Sequence, residues 1–260
     1  MTASWVPSTY LGFADERSRP YADLLARVRT DPATVTDLGC GPGHLSALLR
    51  GRWPQARVEG IDESAEMVER AVADNTDPRV SYRCGDLRDW TATAPVDLLI
   101  SNATLQWVPG HLDLLTGLAD QVAPGGCFAF SVPGNFDTPS HVLLRGLAGQ
   151  EPYAWYTRGV EQPAGHDAAT YLSTLARTGW QADAWETIYL HLLSGRDPVL
   201  RWMSGTGARP VLEALPDPLR SRFETEYGAR LRDAYPEQPH GTVLPFRRVF
   251  CVVHREDEAG

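Results

Sequence analysis

Between residues 34 and 132 the chain alternates short apolar runs with amphipathic stretches. Thr34–Leu38, Arg57–Ile61, Val80–Arg83, Val96–Ser101 and Cys127–Val132 have the apolar, β-branched and aromatic character of strands buried on both faces. His44–Arg52, Ser64–Asp74 and His111–Val122, which separate them, read as helices. Strand and helix alternating at this pitch imply right-handed crossovers, and therefore a parallel sheet with helices on both faces. The lead-in from Trp5 to Arg29 ends in a further helix, with Leu24, Leu25 and Val28 on one face.

After Pro133 the rhythm changes. From Asn135 to about Gly179 helical pattern replaces strand pattern, with aromatics and prolines gathered at Pro152-Tyr153-Ala154-Trp155-Tyr156, so a helical cap is expected here. Trp180–Leu193 is strand-like, Pro198–Met203 and Asp217–Ala234 read as helices, and Val243–His254 is a late β-prone run. The expected organisation is a lead-in (1–30), a ligand-binding core (31–133), a helical insertion on the substrate side (134–179), completion of the core with further substrate-side helices (180–254) and a frayed tail (255–260).

The segment Asp37-Leu-Gly39-Cys40-Gly41-Pro-Gly43-His44 runs from a strand into a glycine-rich turn that opens a helix, a place where backbone must bend sharply and approach a ligand closely. It is not the dinucleotide fingerprint, because counting from Gly39 the third glycine would fall at His44. Asp62 ends the second strand, where carboxylates of nucleotide-binding sheets meet ribose hydroxyls. Gly85-Asp86-Leu87 follows the third strand, where a carboxylate and neighbouring backbone can read an adenine edge, and Ser101-Asn102 ends the fourth. Taken singly, the glycines read as a tight turn, Asp86 as a turn cap, and Met67 and Asn102 as core packing; their order along one sheet favours a nucleoside site.

Composition narrows the partners. The 260 residues carry a net charge of −9, too acidic for a general nucleic-acid coat, and all 24 basic residues are arginine. Without lysine a P-loop is excluded. Cys40, Cys84, Cys127 and Cys251 form no C-x-x-C pair and the seven histidines no metal-ligand spacing, so no metal is expected. The N-terminus lacks the regions of a signal peptide and no run approaches the ~20 apolar residues of a membrane span, so a cytoplasmic chain away from membranes is expected.

The order Asp37-x-Gly39-x-Gly41-x-Gly43, Asp62, Gly85-Asp86 and Pro124-Gly125-Gly126 resembles the class I S-adenosylmethionine-dependent methyltransferases. The resemblance implies a Rossmann-like α/β fold with a seven-stranded, mostly parallel sheet whose last strand is antiparallel. It also implies that the glycine turn lies under the methionine part of the cofactor, Asp62 binds the ribose, and Asp86-Leu87 flank the adenine. Asp37, Gly39, Cys40, Gly41, Gly43, Asp62, Met67, Asp86, Leu87, Asn102 and Trp107 are the expected cofactor residues, with Trp107 walling the transferred methyl.

A narrower resemblance, to the trans-aconitate 2-methyltransferases, is carried by Trp5-x-Pro7-x-x-Tyr10-x-x-Phe13-x-x-x-Arg17-x-Arg19-Pro20, Asn102-Ala-Thr-Leu-Gln106-Trp107-Val-Pro, Pro139-Ser-His141-x-x-x-Arg145, Gly205-Thr-Gly207-x-Arg209-Pro210 and Leu244-Pro245-Phe246-x-Arg248-x-Phe250. It implies esterification of one carboxylate of a small tricarboxylic acid, giving a methyl ester and S-adenosylhomocysteine. A carboxylate with a pKa near ~4 is already an anion, so no dedicated general base is expected. Bidentate guanidinium groups suit the remaining carboxylates. Arg145 and Arg209 are the expected clamps, with Tyr10, Phe13, Arg19, Asn135, His141, Tyr153 and Trp155 shaping the site. Two other readings stand beside this one: a methyltransferase for another carboxylate, a phenol, an amine or a carrier-bound acid, and a non-catalytic sensor that only binds the cofactor. No heptad or amphipathic appendage asks for a partner chain, so a monomer is expected.

Overall fold

The computed structural model describes residues 14–257, with side chains from Ser18 onward. Seven strands, β1 (Thr34–Leu38), β2 (Arg57–Asp62), β3 (Val80–Cys84), β4 (Val96–Asn102), β5 (Val122–Pro133), β6 (Trp180–Leu193) and β7 (Thr242–Arg255), form one sheet in the order β3-β2-β1-β4-β5-β7-β6. β1 pairs in parallel with β2 and β4, β2 with β3, and β4 with β5. The strand order reverses at β1, and in open α/β sheets ligands bind outside the carboxyl ends of the strands at such a switch point. The helices are α1 (Ala14–Leu25), α2 (Ser46–Arg52), α3 (Ala65–Asp74), α4 (Leu112–Ala119), α5 (Pro139–Ala148), α6 (Ala154–Thr157), α7 (Ala168–Leu175), α8 (Pro198–Ser204), α9 (Arg209–Ala214) and α10 (Asp217–Ala234), with one 3-10 turn at Leu105–Trp107. This is the Rossmann-like α/β architecture that the resemblance implies, built on the strand-and-helix alternation of the runs.

Apolar runs located β1 to β4 to within one residue, but β5 begins at Val122, not Cys127. Ala123-Pro-Gly-Gly126, expected to interrupt the chain before the strand, is instead a bulge within it: Val96 pairs with Val122 and Leu98 with Cys127. Gly125 takes a positive φ of 74°. At Gly126 a Cβ would stand 2.8 Å from the Asp97 carbonyl oxygen, so only glycine lets the bulge pass this close to β4. The preceding helix accordingly stops at Ala119, short of the expected Val122.

The chain divides into two compact units, 14–132 with 165–187 and 248–257, and 133–164 with 188–247. The boundary differs from an insertion confined to 134–179. In the sheet-bearing unit, Leu38, Ile61, Leu99, Phe128, Phe130 and Val253 form a core that also takes in Tyr171 and Leu175 of α7. Phe130 meets Tyr171 edge-on at 5.1 Å, and Trp185 stacks on Phe250 at 4.8 Å. In the other unit Tyr153 packs edge-on to Phe223 at 5.0 Å, and the Tyr227 hydroxyl of α10 donates to the Ser140 carbonyl of α5 at 2.8 Å. Helical periodicity shows that α7 has an apolar face, but not which core receives it.

Phe130 is fully buried, so Phe130→Ala should lower the free energy of unfolding by about 3–5 kcal/mol in a denaturant titration. Trp155→Ala, at a residue 71% exposed, should change it by no more than about 0.5 kcal/mol.

Candidate active site

Gly39, Gly41 and Gly43 all adopt positive φ (80°, 55° and 77°), which bends the chain off the end of β1 and into the approach to α2. The turn is hung on β2. Gly39 N and Cys40 N both donate to the Ile61 carbonyl, at 2.7 and 3.1 Å, and Gly41 N donates to Asp62 Oδ2 at 2.9 Å. Ser64 N donates to the other oxygen of Asp62 at 3.0 Å, while the Ser64 hydroxyl caps α3 by accepting from Met67 N. Burial raises the Asp62 carboxyl above the ordinary range, opposed by these two backbone donors.

The glycines do different things. A Cβ at Gly39 would lie 2.0 Å from Thr104 Oγ1 and one at Gly43 2.5 Å from the Tyr82 hydroxyl, so both are filled by the protein itself. A Cβ at Gly41 would meet nothing within 4 Å. Tyr82 explains a fourth glycine. Its ring lies across Gly60, where a Cβ would be 2.5 Å from Cδ1, and its hydroxyl donates to the Gly43 carbonyl at 3.2 Å and shares a hydrogen bond with the Ser46 hydroxyl at 2.9 Å.

Asp37, 2% exposed, accepts from the Tyr21 hydroxyl of α1 at 3.4 Å. Burial first, and then the charge of Asp62, push its carboxyl up to about 7, against the Tyr21 hydrogen bond that lowers it. Cys40 is 4% exposed and its thiol is pushed far up by burial and by both acids, so it is a packed small residue and no nucleophile. At the end of β4, Asn102 Oδ1 accepts from Ser131 Oγ at 2.6 Å, Ser101 Oγ donates to the Leu38 carbonyl at 2.8 Å, and Ala103 has a positive φ of 58°. Met67 and Leu87 are buried and Trp107 is half-buried. Asp86 differs from expectation in what it holds. Both its oxygens accept from the Arg88 guanidinium, at 3.0 and 2.9 Å from Nε, which lowers its pKa. That pairing competes with an adenine edge for the carboxylate.

These residues fit S-adenosylmethionine. An open turn of backbone at Gly41, a carboxylate at the tip of β2 with lone pairs beyond its two backbone bonds, and a buried acid, Asp37, whose carboxyl is raised by the half-buried Asp62 suit a nucleoside bearing positive charge. Tyr21, Tyr82, Thr104 and Ser131 belong to the site through tertiary adjacency, and nothing in their spacing marks them.

The 133–164 and 188–247 unit holds most of the residues expected on the substrate side. His141, 7% exposed, lies against Gly207, where a Cβ would be 2.8 Å from its Nε2, so the second glycine of Gly205-Thr206-Gly207 makes room for the ring. Burial, and next the charge of Arg145, lower its pKa to about 4, and the imidazole is neutral at pH 7. The exposed Arg145 donates to the Phe136 carbonyl at 2.7 Å. Arg209, at the start of α9, is 11% exposed and donates from Nε to Glu213 at 2.7 Å. Asn135 is tied to backbone, donating to the Arg247 carbonyl at 3.1 Å and accepting from Arg247 N at 2.6 Å. Two expected pocket residues are placed otherwise: Tyr153, 1% exposed, is core packing under α10, and Trp155 faces solvent. Arg19 is exposed on α1, and Tyr10 and Phe13 lie outside the described residues.

Gly41→Ala should cost about 1 kcal/mol of stability, the strain of a side chain at positive φ. It should weaken cofactor binding tenfold or more by calorimetry, roughly 1.4 kcal/mol or above, because the added methyl enters the space left for the ligand. His141 is protonated near 6.5 when unfolded and only near about 4 when folded, so between these values the unfolded chain binds more protons. Stability should therefore fall as pH drops through this window, and denaturant titrations of His141→Gln should show a shallower fall than the parent.

The comparisons with known proteins agree with this geometry. Residues 35–126 match the family model of a methyltransferase domain. Among solved structures, a putative methyltransferase in complex with the Haloferax volcanii Trm112 methyltransferase activator superposes with a TM-score of 0.58 at 20% identity, covering 96% of this chain and 94% of that one. An S-adenosylmethionine-dependent methyltransferase from Mesorhizobium loti gives 0.53 at 19% identity, covering 93% and 99%. Both share the fold. The chain is 51% identical to the trans-aconitate 2-methyltransferase of Streptomyces avermitilis, covering 97% of each. It is 50% identical to that of Streptomyces coelicolor over 99% of this chain and 88% of that one, and 45% identical to that of Mycobacterium tuberculosis strain H37Ra over 95% of each. At these identities over nearly its whole length, the chain belongs to the trans-aconitate 2-methyltransferase family of S-adenosylmethionine-dependent methyltransferases.

Proposed function

We propose that this enzyme esterifies one carboxylate of trans-aconitate, releasing the monomethyl ester and S-adenosylhomocysteine. The observation that carries the reading is the 45–51% identity, spread along nearly the full chain, to relatives that bear this name. S-adenosylmethionine, when bound, supplies an electrophilic methyl group on a sulfonium. What remains for the protein is to exclude water and bring an acceptor oxygen in line with that methyl. Gly39, Gly41 and Gly43 give the backbone bed, Asp62 receives the ribose, and Asp37 places negative charge beneath the turn.

The acceptor needs no base, since its carboxylate is ionised at neutral pH. Its other carboxylates need neutralising once desolvated, and Arg145 and Arg209 are assigned that task. Arg209 is mostly buried and its guanidinium plane is fixed by Glu213, which favours a preorganised fork for a planar anion. His141, neutral at pH 7, offers a hydrogen bond rather than a charge. No described helix is long and apolar enough to cross a membrane. We take the enzyme to be a cytoplasmic monomer acting on a small anion.

Incubation with methyl-labelled cofactor and a panel of di- and tricarboxylic acids tests the assignment. Base-labile label on trans-aconitate, in preference to other acids, is the expected result. Label on a phenol or amine instead, or cofactor binding without turnover, would overturn it. Arg145→Ala and Arg209→Ala should each raise KM for the acid about tenfold or more and leave the Kd of the cofactor within about twofold of the parent.

A further inference from the structure

Tyr21 is fully buried, yet its hydroxyl ends beneath the cofactor turn, 3.4 Å from Asp37 Oδ2. It stands on α1, while Asp37 lies in the buried part of β1 two residues before Gly39. A buried phenol is expensive unless its hydroxyl finds a partner, and a buried carboxylate more so. The pair lies in a cluster of acids. Asp62 from β2, Cys40 from the turn and Tyr82 from β3 all act on Asp37 or are acted on by it, and on the β4 side its register partner is Ile100. The charge that acts on Asp37 is that of Asp62, itself an acid.

We propose that Tyr21 is a positioning residue for S-adenosylmethionine, acting through Asp37: its hydroxyl holds the Asp37 carboxylate under the turn, so that α1 tunes how strongly the site attracts the cationic cofactor. The proposal rests on S-adenosylmethionine being the cofactor and is independent of which acid accepts the methyl. Sulfonium and ammonium charges favour the ionised carboxylate. With the Asp37 carboxyl pushed up to about 7, cofactor affinity rises with pH up to that value and levels off above it. The Tyr21 hydrogen bond favours ionisation, so its loss moves the break to higher pH. At pH 7 the variant therefore has less negative charge under the turn than the parent.

The test is cofactor affinity, by calorimetry, from about pH 6 to about pH 9 for the parent and Tyr21→Phe, with thermal melts to confirm folding. Tyr21→Phe should weaken binding about fivefold near pH 7, the order of one hydrogen bond, with the gap closing towards pH 9. Asp37→Asn should abolish the pH-dependent rise, and adding Tyr21→Phe to it should cost no further affinity. A loss for Tyr21→Phe that is equal at every pH, no loss, or additive losses in the double variant would each overturn the proposal. Failure of the parent to bind the cofactor at all would instead overturn the assignment of the cofactor.

Discussion

The backbone path from Gly39 to Gly43 is the constraint on which the candidate site depends. Three positive-φ residues in five carry the chain off β1, and the end of β2 holds them there through the Ile61 carbonyl and the Asp62 carboxylate. Because β1 lies between β2 and β4 at the reversal of strand order, this turn leaves β1 beside the carboxyl ends of both neighbouring strands. Each oxygen of Asp62 thereby orders the protein's own backbone, at Gly41 and Ser64, and keeps further acceptor capacity. Tyr82 underpins the other end of the turn, and this requires Gly60 to have no side chain.

The electrostatics of each unit is distinct. Under the turn, the buried Asp37 lies near the half-buried Asp62, the ionised form of each opposed by desolvation and that of Asp37 also by its neighbour's charge, an arrangement that a cation relieves. In the 133–164 and 188–247 unit, the buried His141 is held neutral by desolvation and by the charge of Arg145, and Arg209 pairs with Glu213. A net charge of −9 describes the whole surface and leaves room for a local positive site, since capture of a small anion depends on a few nearby groups.

Much of this was legible beforehand. Apolar runs locate β1 and β4 because strands buried on both faces expose few positions to blur their ends, whereas β3, expected to be buried, is an edge strand with only Val80 buried. The glycine spacing marks the turn because positive φ three times over is open only to glycine. The bulge in β5 was not legible, since Pro-Gly-Gly reads as a break unless the neighbouring Asp97 carbonyl is seen to require it. Nor was the fate of Asp86, which pairs with an arginine only two positions away.

The sequence by itself determined the strand-and-helix alternation, the cofactor turn and the acids along the sheet, because these are local: each is written in spacing, φ preference or unbroken apolarity. Only the tertiary structure decided that Tyr153 is core and Trp155 solvent-facing, that α7 belongs with the sheet, and that Tyr21 reaches Asp37. Those outcomes depend on which surfaces meet across sixteen residues or across a hundred. An apolar face, an aromatic ring or an arginine carries no mark in the sequence of the neighbour it will find.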